Sequence, residues 1–402
     1  MMVVLTALIL GAPSVRLSAT GRAGGDVGTN VSFADRQGAQ LRLDLGADAT
    51  WDDASSLKLV YSPQLQTMHY NTTGSTRPIV FHTGSVAGRY PVDRLTTLTI
   101  TGGASYGELD VQVANRQLAT AGGGALVTSP LTGSTISYYS LDARANLDRT
   151  FTPRLTGGVG FGAYRLSPLD FVDPNTFTGG DRIDADVRAQ YDLTQIHTLG
   201  GSLTVSRQGY DTGNVYYTSQ LAATYRGRLD PVDVTARAGG MLAHYSRTYR
   251  ATVPLGGGTA YVAPTGSGWT AMPLIEASAT TLLLRGFNGD LGLKAFAGVG
   301  PYFDLLRADL ATRSRTSLGL AAKRYELSGG LALEWSHALG SVMKGVAVDT
   351  LIGTANVGYR MSSMVSFDVG ASLITYPSIP GSRRDLLVTF GVIGVTDMMT
   401  GG

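Results

Sequence analysis

Residues Ala39 to Trp51 alternate without a break. Ala39, Leu41, Leu43, Leu45, Ala47, Ala49 and Trp51 are apolar, and the residues between them, Gln40, Arg42, Asp44, Gly46, Asp48 and Thr50, are polar or small. A repeat of two is the repeat of a β-strand, whose successive side chains point to opposite faces. The pattern returns at 182–193, where Ile183, Ala185, Val187, Ala189, Tyr191 and Leu193 alternate with Arg182, Asp184, Asp186, Arg188, Gln190 and Asp192. A face so densely charged cannot pack as a protein core, because buried unpaired charge is costly. The opposite face is too apolar and too long to stand in water. A closed barrel in lipid satisfies both, with apolar side chains outward and charged ones around a wet interior.

Alternation and turn residues together predict an all-β fold, a transmembrane antiparallel up-and-down β-barrel of about 18 strands. The strands are expected near 15–24, 39–51, 56–69, 79–92, 95–109, 135–148, 154–166, 181–194, 197–208, 214–229, 232–246, 269–284, 290–305, 322–337, 339–350, 352–361, 364–376 and 385–396. Short connections at 52–55, 93–94, 148–154, 194–197, 230–231 and 361–363 alternate with long ones at 25–38, 66–78, 110–134, 167–180, 247–268 and 306–321. That is the asymmetry of periplasmic turns against outer loops, and an even strand number leaves both termini in the periplasm. A soluble sandwich would use strands of about 5–6 residues, shorter than these. No blade-length motif repeats, which argues against a propeller.

Composition agrees. Charged residues are 15% of the chain, against roughly 25% in a soluble domain. No run of ~18 apolar residues occurs beyond the N-terminus, which excludes a helical membrane protein. The net charge of +2 comes without a basic run, so nucleic acid has no electrostatic footprint to meet. Cysteine is absent, which removes disulfides and thiolate metal sites. Residues 1–14, MMVVLTALILGAPS, read as a signal-peptide core without its basic flank, leaving 15–402 as the barrel.

Strand parity assigns the inner face. Arg42, Asp44, Asp48, Asp142, Arg144, Arg182, Asp184, Asp186, Arg188, Asp192, Lys294, Arg324 and Glu326 are expected to line the lumen, with Tyr138 and Tyr164 as aromatic platforms. Trp51, Tyr90, Tyr191, Tyr225, Trp335 and Tyr359 close strands that descend to short turns, the place of an aromatic girdle at the periplasmic membrane boundary. Gly158, Gly160 and Gly162 punctuate a strand rather than opening a helix. They read as room for a close approach, not as a phosphate loop.

Chemistry is sparse. His197 and His337 fall at short turns, His69 and His82 flank one outer loop, and His244 lies near another. None pairs at the i, i+2 spacing that would put two ligands on one strand face, so no metal and no cofactor are expected. Asp110 with His69 or His82 is the one combination from which a rim hydrolase could be built, and catalysis needs a convergence that the sequence does not display. The chain is read as a non-enzyme.

Several segments carry a family likeness: Val60-Tyr61-Ser62-Pro63-Gln64-Leu65, His82-Thr83-Gly84, Ala104-Ser105-Tyr106-Gly107-Glu108, and Leu141-Asp142-Ala143-Arg144 leading to Phe151-Thr152-Pro153-Arg154-Leu155. Through them the chain resembles the Gram-negative outer-membrane β-barrel porins, including barrels that partner polysaccharide-export proteins. The resemblance implies an outer-membrane conduit for a hydrophilic substrate, in polysaccharide export, with a periplasmic export protein as partner. The alternatives are a general diffusion channel, a plugged structural or adhesion barrel, and the rim hydrolase. One departure is the C-terminus, where Phe390 lies inside the last strand rather than ending it.

Overall fold

The computed structural model describes residues 13–30, 33–52, 54–70, 75–110, 135–169, 179–248, 252–256, 259–262, 265–285, 289–304, 309–341, 350–375 and 384–400. Among them no helix occurs. The strands are β1 (Ser14–Asn30), β2 (Phe33–Thr50), β3 (Ser56–Tyr70), β4 (Ser75–Pro91), β5 (Thr96–Asp110), β6 (Thr135–Thr152) and β7 (Leu155–Pro168). They continue as β8 (Gly180–Asp192), β9 (His197–Tyr210), β10 (Val215–Leu229), β11 (Val232–Arg247), β12 (Thr252–Gly256), β13 (Thr259–Val262) and β14 (Gly266–Leu284). The last are β15 (Asp290–Asp304), β16 (Asp309–Arg324), β17 (Leu327–Ser341), β18 (Thr350–Arg360), β19 (Val365–Thr375) and β20 (Arg384–Thr400).

All but β12 and β13 join one antiparallel sheet of 18 strands. β1 pairs with β2 on one side and with β20 on the other, so the sheet closes on itself. The hairpin β12–β13 lies within the connection between β11 and β14, which pair directly.

Register explains why the alternating sequence takes this form. Arg16, Asp48 and Lys58 stand side by side across β1, β2 and β3 on one face, while Leu17, Ala47 and Leu59 stand side by side on the other. Val187, Leu221 and Ile275 on the outer face are more than half exposed. A continuous apolar surface of this extent is at rest in hydrocarbon and not in water. On β8 the outward residues run from Tyr191 up to Asp181 with only Ala189, Val187, Ala185 and Ile183 between. About ten residues at ~3.4 Å each, tilted by ~40°, span ~26 Å, the height of a barrel's apolar band.

The two ends differ. At the turn end the connections are 51–55, 92–95, 153–154, 193–196, 230–231, 285–289, 325–326 and 361–364. At the loop end the connections 111–134 and 248–265 are much longer. Short polar side chains fasten the turns. Asp52 accepts hydrogen bonds from the backbone N–H groups of Ala54 at 2.8 Å and Ser55 at 2.5 Å. Asp93 accepts from Leu95 N–H at 2.7 Å and Thr96 Oγ1 at 3.0 Å. Thr152 and Ser362 do the same for Leu155 and Val365, both at 3.0 Å. These bonds to the ionised form hold the Asp52 and Asp93 carboxyls below the usual range, led in each case by the backbone N–H.

The strand number of the barrel sheet matches expectation, but its strand bounds differ between 306 and 341. The segment 306–321, expected as a loop, is mostly β16, the expected strand 322–337 is split between the end of β16 and β17, and residues 342–349 of the expected strand 339–350 lie outside the described residues. The cause of the split is the β16–β17 turn. It consists of Tyr325 and Glu326, without Gly, Asn, Asp or Pro, and Tyr325 adopts φ 51°. A bulky residue in that region is strained where glycine is not. Tyr325→Gly should therefore stabilise the barrel by about 1 kcal/mol, seen as a higher urea midpoint in lipid vesicles. A lower midpoint would mean that the Arg324 guanidinium, 5.8 Å from the Tyr325 ring, contributes more than the strain costs. The expected loops 25–38 and 66–78 are also shorter than read, because β1–β2 and β3–β4 continue pairing to Asn30, Phe33, Tyr70 and Ser75. Residues 1–12 of the expected leader lie outside the described residues, and β1 begins at Ser14.

Candidate functional site: the inner face

The densest polar structure is a rail of ion pairs on the inner face of β6, β7 and β8. Register aligns Asp148, Gly158 and Arg188 in one row, Asn146, Gly160 and Asp186 in the next, then Arg144, Gly162 and Asp184, and finally Asp142, Tyr164 and Arg182. β6 and β8 are two strand spacings apart, about 9.6 Å. Long side chains can meet across that gap only if β7 presents nothing between them, and its glycines leave the way clear. Arg144 reaches over β7 to Asp184 Oδ2 at 2.8 Å and to Asp186, and its Nε donates to Asn146 at 3.1 Å. Arg188 reaches back to Asp148 at 2.8 Å while also pairing with Asp186 Oδ2 at 3.0 Å. Arg182 Nε stands 3.4 Å from Asp184 Oδ1. The result is an unbroken line, Arg182–Asp184–Arg144–Asp186–Arg188–Asp148, of alternating sign. The carboxylates at its centre are nearly covered, Asp186 at 9% exposure, while Arg144 at 38% and Asp148 at 47% face the interior.

The opposite wall is sparser. Arg315 pairs with Glu334 at 2.7 Å and lies over the Phe296 ring, and Arg313 lies over Tyr302. Arg237 and Glu276 approach to 3.7 Å. Between the two walls a recess of about 340 Å³ is lined by Arg188, Arg226, Arg237, Glu276 and Phe296 among others.

Towards the loop end the inner face changes character. Ile79, Phe81, Leu166, Tyr210 and Tyr216 point inward and are at most 4% exposed. An inward side chain in an open barrel would be wet, so protein atoms cover this belt from the inside. Phe81 and Tyr138 meet across β5 at 5.4 Å between ring centroids, above Gly107, whose φ of 134° suits glycine alone. Arg247, only 3% exposed, donates from Nε to the Tyr216 hydroxyl at 3.1 Å and sits 4.7 Å from the Tyr245 ring.

Of the residues expected to line the lumen, Arg42, Asp44, Asp48, Asp142, Arg144, Arg182, Asp184, Asp186, Arg188, Asp192, Lys294 and Tyr164 stand on the inner face by register. Arg42 pairs with Asp44 at 2.7 Å, Asp48 lies 3.9 Å from Lys58, and Asp192 accepts from Thr198 at 2.8 Å. Three expectations are corrected. Arg324 closes β16 opposite Leu327, in the outward row, and Glu326 is in the turn. The strand read through 322–337 crossed a hairpin, so its parity failed there. Tyr138 does face inward but is 3% exposed, sealed in the belt rather than available as a platform.

On the outer face Tyr191, Leu199 and Tyr225 form one row near the turn end, with Tyr90 and Tyr359 close to their own turns and Trp51 at the start of one. Trp335 is the exception. It stands opposite Leu351, near the loop end of β17, where outward Tyr106, Tyr217 and Trp269 also lie. Sequence reading did not single out these last three; their outward parity at the far strand ends was the available signal.

The histidines are not brought together. His82 bonds to the Tyr61 hydroxyl at 2.7 Å, His69 to Thr76 at 2.9 Å, and His197 to the Tyr225 hydroxyl at 2.8 Å. His244 and His337 pack on Trp269 and Trp335, which places His337 near the loop end rather than at a turn. His82 faces Pro63 in register, so it stands about six residues, or ~20 Å, from His69 along the hairpin. The side chain of Asp110 lies outside the described residues. Among the described residues no group of three or more His, Cys, Asp and Glu could hold a metal ion.

No protein-family model matches the chain, and no curated protein matches it in sequence. Solved structures do. The chain is similar to OpdK of Pseudomonas aeruginosa, solved with vanillate, with TM-score 0.50 and 11% identity over 96% of this chain and 99% of that one. It is also similar to OccK7 (OpdD) of Pseudomonas aeruginosa, with TM-score 0.49 and 9% identity over 96% and 100%. OccAB1 of Acinetobacter baumannii gives TM-score 0.49 and 11% identity over 96% and 97%. At such identities the likeness establishes the fold, a closed 18-stranded antiparallel barrel of the outer-membrane porin type.

Proposed function

We propose that this protein is an outer-membrane channel for small hydrophilic solutes, with its turn end and both termini in the periplasm. The observation that carries this reading is the water-accessible ion-pair rail inside a closed 18-stranded barrel. Barrels of about 16–18 strands are wide enough to hold an aqueous path, whereas eight-stranded ones are filled by their own side chains. The sealed belt at the loop end narrows that path. It favours a small cargo over the growing polymer of polysaccharide export, a reading that rests on the sequence resemblance alone.

Single-channel conductance of the full-length protein in a planar bilayer tests the proposal. Steady conductance is expected from the wild type. A larger one is expected from Phe81→Ala/Tyr138→Ala, which empties the belt where two strands' rings meet. The belt also supports a second reading, a plugged structural barrel. Silence from both proteins, each shown to be folded, would establish that reading and overturn the channel.

A further inference from the structure

We propose that the rail on β6–β8 is a binding track for uncharged, polyhydroxylated solutes, that is, small sugars. This deepens the channel reading and rests on it. The argument starts from charge. Every guanidinium in the rail is already matched by a carboxylate, and Asp186 is shared by Arg144 and Arg188. A simple anion drawn to Arg144 meets Asp184 and Asp186 at the same place, and a cation drawn to Asp148 meets Arg188. The rail therefore gives little to a solute that carries one net charge.

A hydroxyl is different, because it both donates and accepts. Neighbouring hydroxyls of a sugar ring can give to a carboxylate oxygen and receive from a guanidinium N–H without separating the pair. Guanidinium has five donors in a planar fork, and those of Arg144 and Arg188 are not all used by Asp184, Asp186, Asp148 and Asn146.

Shape supports the same ligand. Arg144 and Arg188 cross above Gly158, Gly160 and Gly162, so the rail lies flat on the wall instead of standing out from it. Tyr164, between Asp142 and Arg182, adds an aromatic ring at the upper end. Arg188 also lines the recess of about 340 Å³ that adjoins the lower end. Flat ring faces, aromatic surface and alternating donors and acceptors together suit a pyranose and not a compact ion. The rail's half-buried members, Arg144, Arg188 and Asp148, are within reach of the interior.

The folded full-length protein in detergent is titrated with maltotriose in a calorimeter, with succinate as a charged comparison. Saturable maltotriose binding is expected from the wild type, with succinate weaker. Arg188→Met/Asp148→Leu removes the lower pair and should weaken maltotriose by about tenfold or more, the loss of one charge-assisted contact. Asp184→Asn, a gentler change at the upper end, should weaken it in the same direction if the double variant fails to fold. No wild-type binding, undiminished binding in the folded variants, or tighter succinate than maltotriose would each overturn the track. Ion current through the wild type in a planar bilayer separates this inference from the channel reading. Current without maltotriose binding keeps the channel and sinks the track; binding without current does the reverse.

Discussion

Val187→Arg is expected to destabilise the folded barrel strongly and cut its folded yield. Val187 stands 58% exposed on the outer face of β8, with Val159 and Leu203 beside it in register. It lies between Tyr191 near the turn end and Asp181 near the loop end, close to mid-band. An arginine on the lipid face costs about 2–4 kcal/mol at the bilayer midplane and almost nothing at its edges. That is a large part of the stability of a typical domain, about 5–15 kcal/mol. The folded, heat-modifiable band on a gel should be clearly reduced after refolding into vesicles, and the urea midpoint lowered. Arg188→Gln, one residue along and facing inward, should keep it. Equal folded yields from the two changes would invert the assignment of faces.

Gly160→Val should break the rail from beneath. A Cβ at Gly160 would stand 2.7 Å from Asn146 Oδ1 and 2.8 Å from Arg144 Nη2, and the two methyl groups of valine fill the space the guanidinium crosses. Arg144 is then displaced from Asp184 and Asp186, whose carboxylates are 13% and 9% exposed. Asp184 keeps Arg182 and Asp186 keeps Arg188, so what is lost is one charge-assisted partner of each, about 1–3 kcal/mol. The lower half of that range is expected, because Arg144 is more than a third exposed and water screens the pair. The urea midpoint should fall, and the carboxylates, each left with a single guanidinium, should tilt ion selectivity towards cations. A double-mutant cycle with Arg144→Met checks the cause. Once Arg144 is gone, valine should add little. Fully additive losses would show that the valine acts through some other contact.

The alternation of 39–51 and 182–193 was legible because both faces obey it strictly, and the register of β2 and β8 follows from it. The charged residues of β8 were legible for the same reason. Arg144 was legible as an inward residue, but its pairing with them was not, since it lies two strands away and the contact depends on a glycine strand between. β16 was missed on its outer face, where Thr312, Ser314 and Thr316 alternate with polar residues instead of contrasting with them. Its turn through Tyr325 carries none of the residues that normally mark one. The belt of Ile79, Phe81 and Tyr216 was illegible in a different way. Alternation was read on the premise that inward means wet, and a sealed interior needs the opposite composition.

The seam between β1 and β20 has a consequence for how this protein comes into being. It runs through 16 cross-strand partners, from Val15 with Thr400 to Asn30 with Asp385. The first strand made must wait for the last. Bringing such distant segments together adds little in chain entropy, since each doubling of loop length costs only ~0.6 kcal/mol. Timing is the harder constraint. Until β20 arrives, β1 and the growing end are two long edges of unsatisfied amides and carbonyls, which hydrocarbon does not tolerate. Some other surface has to cover them during insertion, and a chain cut short of β20 has no smaller barrel to fall back on.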